Sequence, residues 1–341
     1  AFPVALAVLV AACPCALSLA VPAAVSSAFD ALARSGVLVL SPDALSGLKD
    51  IDHVVFDKTG TLTSGQAHLQ GVRTFNGCSD REALQRAYGM ELGSKHPLAH
   101  AFQAEGLQPS VFDALSVVPG HGIQARDGGQ DYRLGKAGFA AKEQPDTGIW
   151  LSRNNLLLAH FTLEDPIKAD ALACIENLRG QSMHCHLLSG DSLAHVHQAA
   201  AALGLRSYRA RVDPEGKMQY LQALQQAGGK VLMIGDGIND APVLAQADVS
   251  MAMGSGAYVA QSNADILLMN SKLSQIGHVL SVAAHMRHLM RQNLRWAIAY
   301  NVLAVGVALS GLIHPGFAAL GMAGSSLLVT LNALRIYRIK P

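Results

Sequence analysis

Asp57-Lys58-Thr59-Gly60-Thr61 closes a short apolar run, His53-Val54-Val55-Phe56, and two later runs end in the same manner. His184-Cys185-His186-Leu187-Leu188 leads into Ser189-Gly190-Asp191, and Val231-Leu232-Met233-Ile234 leads into Gly235-Asp236-Gly237-Ile238-Asn239-Asp240. Helix-like stretches at 170–179, 192–203 and 214–227 stand between and beside them. Strands alternating with helices predict a parallel, doubly wound α/β sheet, which binds ligands beyond the carboxyl ends of its strands. All three acidic clusters sit at such ends and are expected to converge.

Their chemistry is coherent. A carboxylate at Asp57 is placed to attack phosphorus and form an acyl phosphate that is later hydrolysed. Asp236 and Asp240 would hold Mg²⁺, which offsets the charge of carboxylate and phosphate together. Lys217 supplies a fixed positive charge, and Ser189 with the Gly190 amide offers donors to phosphoryl oxygens. A lone aspartate after a strand more often caps a turn. Three in this order, behind a spelled-out DKTGT, argue for a site.

These motifs in this order resemble the phosphorylation domain of P-type ATPases, within the haloacid-dehalogenase-like superfamily. The resemblance implies a catalytic set of Asp57, Lys58, Thr59, Ser189, Gly190, Asp191 and Lys217, with Mg²⁺ held by Asp57, Thr59, Asp236 and Asp240. Soluble phosphatases of that superfamily carry a second aspartate two residues after the nucleophile, where this chain has Thr59. Without that proton donor the phosphoenzyme is expected to persist until another domain triggers its hydrolysis.

Between Thr63 and Phe161 the sheet pattern is interrupted by a span long enough for a small domain. It contains Glu91-Leu92-Gly93-Ser94-Lys95-His96-Pro97 and Pro119-Gly120-His121-Gly122. In the heavy-metal branch of the family such Ser-x-His-Pro and Gly-x-Gly motifs line the adenine pocket. By that resemblance Glu91 and His96 contact the base of ATP, and Gly120 and Gly122 let the backbone approach it. The bland alternative is that His96-Pro97 starts a helix. One departure stands out: the family usually has Asn after the glycine at 135, and here Lys136 follows it.

The ends of the chain are of another kind. Residues 1–29 carry no Asp, Glu, Lys or Arg, nor do residues 296–334. A spanning helix needs about 20 apolar residues, so the first stretch fits one and the second fits two, broken at His314-Pro315-Gly316. Arg287, Arg291 and Arg295 before this hairpin, and Arg335, Arg338 and Lys340 after it, put both flanks in the cytoplasm by the positive-inside rule. The expected order is a first transmembrane helix at 1–35, the phosphorylation domain at 36–65 and 161–275, an inserted α+β nucleotide-binding domain at 66–160, and a transmembrane hairpin at 276–341. With a net charge of +1 and no basic cluster, nucleic acid is excluded as the main partner. Five cysteines in 341 residues are no disulfide framework.

Cys13-Pro14-Cys15 lies inside the first apolar stretch. Proline opens a helix locally and would turn both thiols toward one point. Thiolate and thioether donors favour Cu(I). A disulfide between two residues so near across a proline is not expected. The opposing reading is two packing cysteines beside a kink. The motif resembles the ion-path helix of the heavy-metal P-type ATPases. Tyr300-Asn301 and Met322-Ala323-Gly324-Ser325-Ser326 resemble the signatures of their Cu(I) subgroup, which implies Cys13, Cys15, Tyr300, Asn301, Met322 and Ser326 along the path of transported Cu(I), or of Ag(I). Packing in a helix interface is the plain alternative for Met322 and the two serines.

The resemblance implies a multi-pass protein of the cell membrane, in the lipid bilayer of a bacterial inner membrane, supplied by a cytosolic copper chaperone. An actuator domain and earlier helices are expected upstream, so this chain alone should bind ATP and not transport. The alternatives are a zinc- or cadmium-type pump, a membrane-tethered phosphatase, and a passive metal-binding membrane segment.

Overall fold

A computed structural model of the chain describes residues 2–94, 99–103, 106–141, 144, 148–236, 240–254, 264–311 and 313–339. The chain enters through two helices, α1 (Phe2–Ala11) and α2 (Cys15–Arg34). Then β1 (Val37–Val39), α3 (Ala44–Gly47) and β2 (His53–Asp57) follow in the same compact unit. Leu62–Lys168 forms a unit of its own. It holds β3 (His68–Thr74), α4 (Asp80–Ser94), α5 (Ala99–Phe102), β4 (Ala114–Val118) and β5 (Gly122–Asp127). It continues with β6 (Gln130–Gly135), α6 (Ala137–Ala140), β7 (Ile149–Arg153) and β8 (Leu156–Glu164).

The first unit resumes with α7 (Ala171–Gly180), β9 (His184–Leu188), α8 (Leu193–Ala202), β10 (Ser207–Arg209) and α9 (Pro214–Gln226). After β11 (Val231–Gly235), α10 (Ala241–Gln246), β12 (Val249–Met253) and β13 (Ile266–Leu268) come the long α11 (Ser274–Leu309) and α12 (Pro315–Ala333).

The seven strands of this unit run in the order β1-β13-β12-β11-β2-β9-β10, parallel throughout except for β1 against β13. Every residue of β11 and β12 is buried, as expected where helices cover both faces of a parallel sheet. The register decides the site. Asp57 stands opposite Leu188, and Phe56 opposite Ile234, so the segments after β2, β9 and β11 leave the sheet side by side.

The second unit is a six-stranded antiparallel sheet, β3-β8-β7-β6-β5-β4. Ala83, Ala87 and Met90 form one stripe of α4, which packs on Tyr132, Leu134, Leu151, Leu158 and Phe161. The Arg86 guanidinium covers the Tyr132 ring at 4.4 Å and bonds Asp127 at 3.1 Å. At the β5–β6 edge Gly122 and Gly135 face each other with φ of +155° and +156°. A Cβ on Gly122 would lie 2.1 Å from the Leu134 carbonyl oxygen, and one on Gly135 would lie 2.3 Å from that of His121. Only glycine fits either place.

Among the described residues, two helical segments are long and apolar enough to cross a membrane, Pro3–Arg34 and Pro315–Arg338. Three spans were expected. α11 is one helix of 36 residues, ~54 Å long, and is not apolar over a full span: Arg287, Arg291 and Arg295 interrupt it, and the uncharged run after them, residues 296–309, is shorter than a span. α12 opens with Pro315 in its first turn, and the His314 ring accepts the Gly316 amide at 3.2 Å. The apolar helices meet through small residues: Ala16 and Ala20 of α2 against Ala297 and Val329, and Ala7 and Ala11 of α1 against Ala308. Small side chains let helix backbones approach closely.

Candidate active site and metal path

Asp57 ends β2 and is buried, as expected for a residue closing a central strand. Its Oδ1 accepts a hydrogen bond from Lys217 Nζ at 2.6 Å, and the same ammonium donates to Asp240 Oδ1 at 2.7 Å. Lys217 is delivered by the first turns of α9, whose start is capped by the Asp213 carboxylate accepting the Gly216 amide at 2.8 Å. Asp240 precedes α10 and is 1% exposed. Burial foremost, and then the charge of Asp240, push the Asp57 carboxyl up to about 7, against the pull of Lys217, with Asp236 adding to the rise. Lys217 is raised by these same two carboxylates despite its burial.

The Lys217 ammonium thus joins Asp57 and Asp240, and the charge of Asp236 acts on Asp57 as well. Asp240 Oδ2 is buried and accepts no hydrogen bond among the described residues. An orphaned anionic oxygen within an excess of negative charge is a fit for a hard divalent cation. Gly237, Ile238 and Asn239 lie outside the described residues.

The neighbouring residues complete the rim. Lys58 forms an ion pair with Asp191, and Thr59 follows in an extended conformation within the turn after β2. Ser189 is buried, and its Oγ accepts the Asp191 amide at 3.1 Å, which leaves the hydroxyl proton to donate. Gly190 stands between these two on the same loop.

In the second unit a cavity of about 470 Å³ is lined by Glu91, Ser94, Gly120, Gly122, Gly135 and Lys136 together with apolar residues of β4 to β7. His96 lies outside the described residues. Burial pushes the Glu91 carboxyl up to about 7, although the Ser94 hydroxyl, 3.4 Å away, opposes the rise. A carboxyl that holds its proton more tightly when folded stabilises the fold below about pH 4.5, and that contribution is lost as pH rises through 7. Glu91→Gln is therefore expected to raise hydrogen-exchange protection of α4 in the full-length protein at pH 8 and to leave it unchanged near pH 4. A variant that loses protection at pH 8 would show this sign to be wrong.

In the helical part, the chain leaves α1 after Ala11 and enters α2 at Cys15, with Pro14 as its N-cap. Contrary to expectation, Cys13 and Cys15 are joined as a disulfide, with Cα atoms 5.6 Å apart. The reason lies in the break. Neither cysteine is held by a continuous helical turn there, so their separation falls in the range a disulfide spans. Cys15 Sγ lies 3.7 Å from Met322 Sδ on α12. The structure therefore brings three sulfurs together. Ser326 Oγ donates to the Met322 carbonyl of its own helix at 3.1 Å. The Tyr300 hydroxyl abuts Gly321, one residue from Met322, and Asn301 is half-buried beside it on α11. Ser325 Oγ accepts from Trp296 Nε1 at 3.2 Å.

Asn293 belongs to no motif, yet it is the most heavily bonded buried side chain of this region. Its Nδ2 donates to the carbonyls of Ala20 at 3.4 Å and Val329 at 3.2 Å, and its Oδ1 accepts from Asn332 at 2.8 Å. The one sequence signal was an amide pair, Gln292-Asn293, opening an apolar segment.

The family model of haloacid dehalogenase-like hydrolases matches residues 51–248. The nitrogen fixation protein FixI of Rhizobium leguminosarum is 39% identical over 342 residues, covering 98% of this chain and 44% of that protein. A copper-exporting P-type ATPase of Mycobacterium leprae is 35% identical over 350 residues, covering 98% and 45%. The crystal structure of a zinc-transporting PIB-type ATPase superposes with a TM-score of 0.75 at 31% identity, over 96% of this chain and 56% of that one. The chain thus spans about half the length of the curated relatives it matches. It belongs to the haloacid dehalogenase-like hydrolase family, and its likeness within that family is to the heavy-metal P-type ATPases.

Proposed function

We propose that the protein uses ATP to phosphorylate Asp57 and couples that aspartyl phosphate to movement of Cu(I), or the equally soft Ag(I), out of the cytoplasm. The observation that carries the reading is the Lys217 ammonium bonded to both Asp57 and Asp240, with the Asp236 charge acting on Asp57, at the ends of β2 and β11. With Oδ1 held by Lys217, Oδ2 of Asp57 is the oxygen disposed to attack the γ-phosphorus. The P–O bond to ADP breaks as the new one forms. Lys217, the Ser189 hydroxyl and the Gly190 amide stabilise charge on the transferring oxygens. Asp57, Asp236 and Asp240, with Thr59, would hold Mg²⁺, which supplies Lewis-acid neutralisation of the same charge. ATP is taken to sit in the cavity beside Glu91, Gly120 and Gly122, where the neutral form of Glu91 can donate to a base nitrogen.

For the cargo, support comes from the sulfurs of Cys13, Cys15 and Met322, in an apolar region where residues 296–334 include no carboxylate. The reduced thiol pair is the metal-binding form. The reading includes a third span formed by the apolar part of α11, cytoplasmic flanks, and a cytosolic copper chaperone as donor. Upstream helices and an actuator domain would complete the cycle. A zinc-type pump is the second reading, favoured by the likeness to a zinc-transporting ATPase. The two separate when the full-length protein, reduced and given [γ-³²P]ATP, is titrated with Cu(I), Ag(I) and Zn(II). Acid-stable label and ATPase activity should rise with Cu(I) and Ag(I). A response to Zn(II) alone overturns the cargo, and no label under any metal overturns the reaction.

A further inference from the structure

We propose that Asn293 is a positioning residue for the metal path, acting by locking α2 to α12 so that the sulfurs of Cys15 and Met322 stay in register. It rests on the transport reading only for its functional consequence. The geometry stands by itself. Asn293 is 1% exposed, and both of its N–H donors and its carbonyl acceptor are engaged across helices. One donor holds the backbone of α2 at Ala20, five residues beyond Cys15. The other holds α12 at Val329, seven residues beyond Met322. At 1.5 Å per residue these anchors lie roughly 7 and 10 Å along their helices from the two sulfurs.

The lock extends outward. Asn332 Nδ2 donates to Asn293 and, at 3.3 Å, to Gln292 Oε1. Arg335 donates to Asn332 Oδ1 at 3.0 Å and to Gln292 Oε1 at 3.4 Å. A guanidinium at the exposed end thus polarises a chain of amides that terminates on two buried backbones, and such chains strengthen cooperatively. Elsewhere at the junction Trp296 Nε1 donates to Ser325 Oγ, which ties α11 to α12 and does not reach α2. Ala16, Ala20, Ala297 and Val329 are small and smooth, and apolar contacts between helices in a bilayer tolerate sliding. The amide supplies the register that these surfaces lack.

The test uses the full-length protein in membranes. In a Cys13→Ser/Met322→Cys background, mild oxidation should link the sulfur of Cys15 to the one introduced at 322. Adding Asn293→Ala, or Asn293→Leu, which keeps the branched shape and removes both donors, should slow that cross-link about tenfold or more, the scale on which small misplacements are felt. Asn332→Ala, which removes one contact, should give an intermediate rate and guards against a variant that fails to fold. On an otherwise native chain, Asn293→Ala should raise KM for the stimulating metal about tenfold and change kcat less than about twofold. ATP binding serves as the folding control. Cross-linking at the parent rate in both Asn293 variants overturns the proposal, even where their melting temperature falls. Normal cross-linking loss with no response of the parent protein to any soft metal would instead fault the transport reading alone.

Discussion

Asp57→Asn is expected to abolish labelling of the full-length protein by [γ-³²P]ATP, by at least about 10⁴-fold, and all metal-stimulated turnover with it. The chemistry leaves no substitute. Thr59 stands where soluble relatives of this superfamily have a second aspartate, and the other carboxylates of the cluster, Asp236 and Asp240, are committed to balancing charge. The same change should not harm the fold. Burial and the Asp240 charge push the Asp57 carboxyl up from 3.8 to about 7, so its contribution to folding is full below about pH 4 and is lost as pH rises through 7. An amide keeps an acceptor for Lys217 Nζ and adds no charge. Thermal unfolding of the variant should therefore match the parent at or below about pH 4 and exceed it increasingly up to pH 8. A labelled variant would remove Asp57 from the reaction, and a variant less stable at pH 8 would contradict the electrostatics.

The convergence of β2, β9 and β11 is legible in the sequence because it is written locally. Apolar runs at 53–56, 184–188 and 231–234 became β2, β9 and β11 within a residue, since their ends are marked by aspartate and glycine. Their convergence followed from the parallel order alone. The helices expected at 170–179, 192–203 and 214–227 likewise appear as α7, α8 and α9. What could not be read was pairing between segments far apart in the chain. The six-stranded order of the inserted unit depends on which edges meet, and the contact of Gly122 with Gly135 exists only once β5 lies on β6. The partners of Asn293 lie 273 and 36 residues away, beyond any window of periodicity. The Cys13–Cys15 disulfide escapes the sequence for a different reason. A proline within an apolar run reads as a bend in a continuous helix, whereas the chain stops being helical between Ala11 and Cys15.

Lys217→Met should produce the opposite signature to Asp57→Asn, and the contrast tests the cluster as a unit. Its ammonium bonds both Asp57 and Asp240, and all three side chains are buried. Replacing it by an apolar chain of similar length leaves two carboxylates uncompensated, which costs about 3–5 kcal/mol when the charge cannot reach water. Phosphorylation should fall about 10²- to 10³-fold, as when one charge-stabilising donor is lost. The pH dependence follows from the sign of the shift. Without the pull of Lys217 the Asp57 carboxyl holds its proton more strongly, so the destabilisation is small at about pH 4 and grows as pH rises through 7. Adding Asp57→Asn to Lys217→Met removes one of the two stranded charges and should recover about 0.5–3 kcal/mol of stability at pH 8 without restoring any phosphorylation. Mg²⁺ should also protect the single variant more than the parent, because Asp240 Oδ2 and the stranded oxygens are then its strongest available ligands. A Lys217→Met protein that unfolds like the parent at pH 8, with or without Mg²⁺, would mean that these carboxylates are not held as one charged cluster.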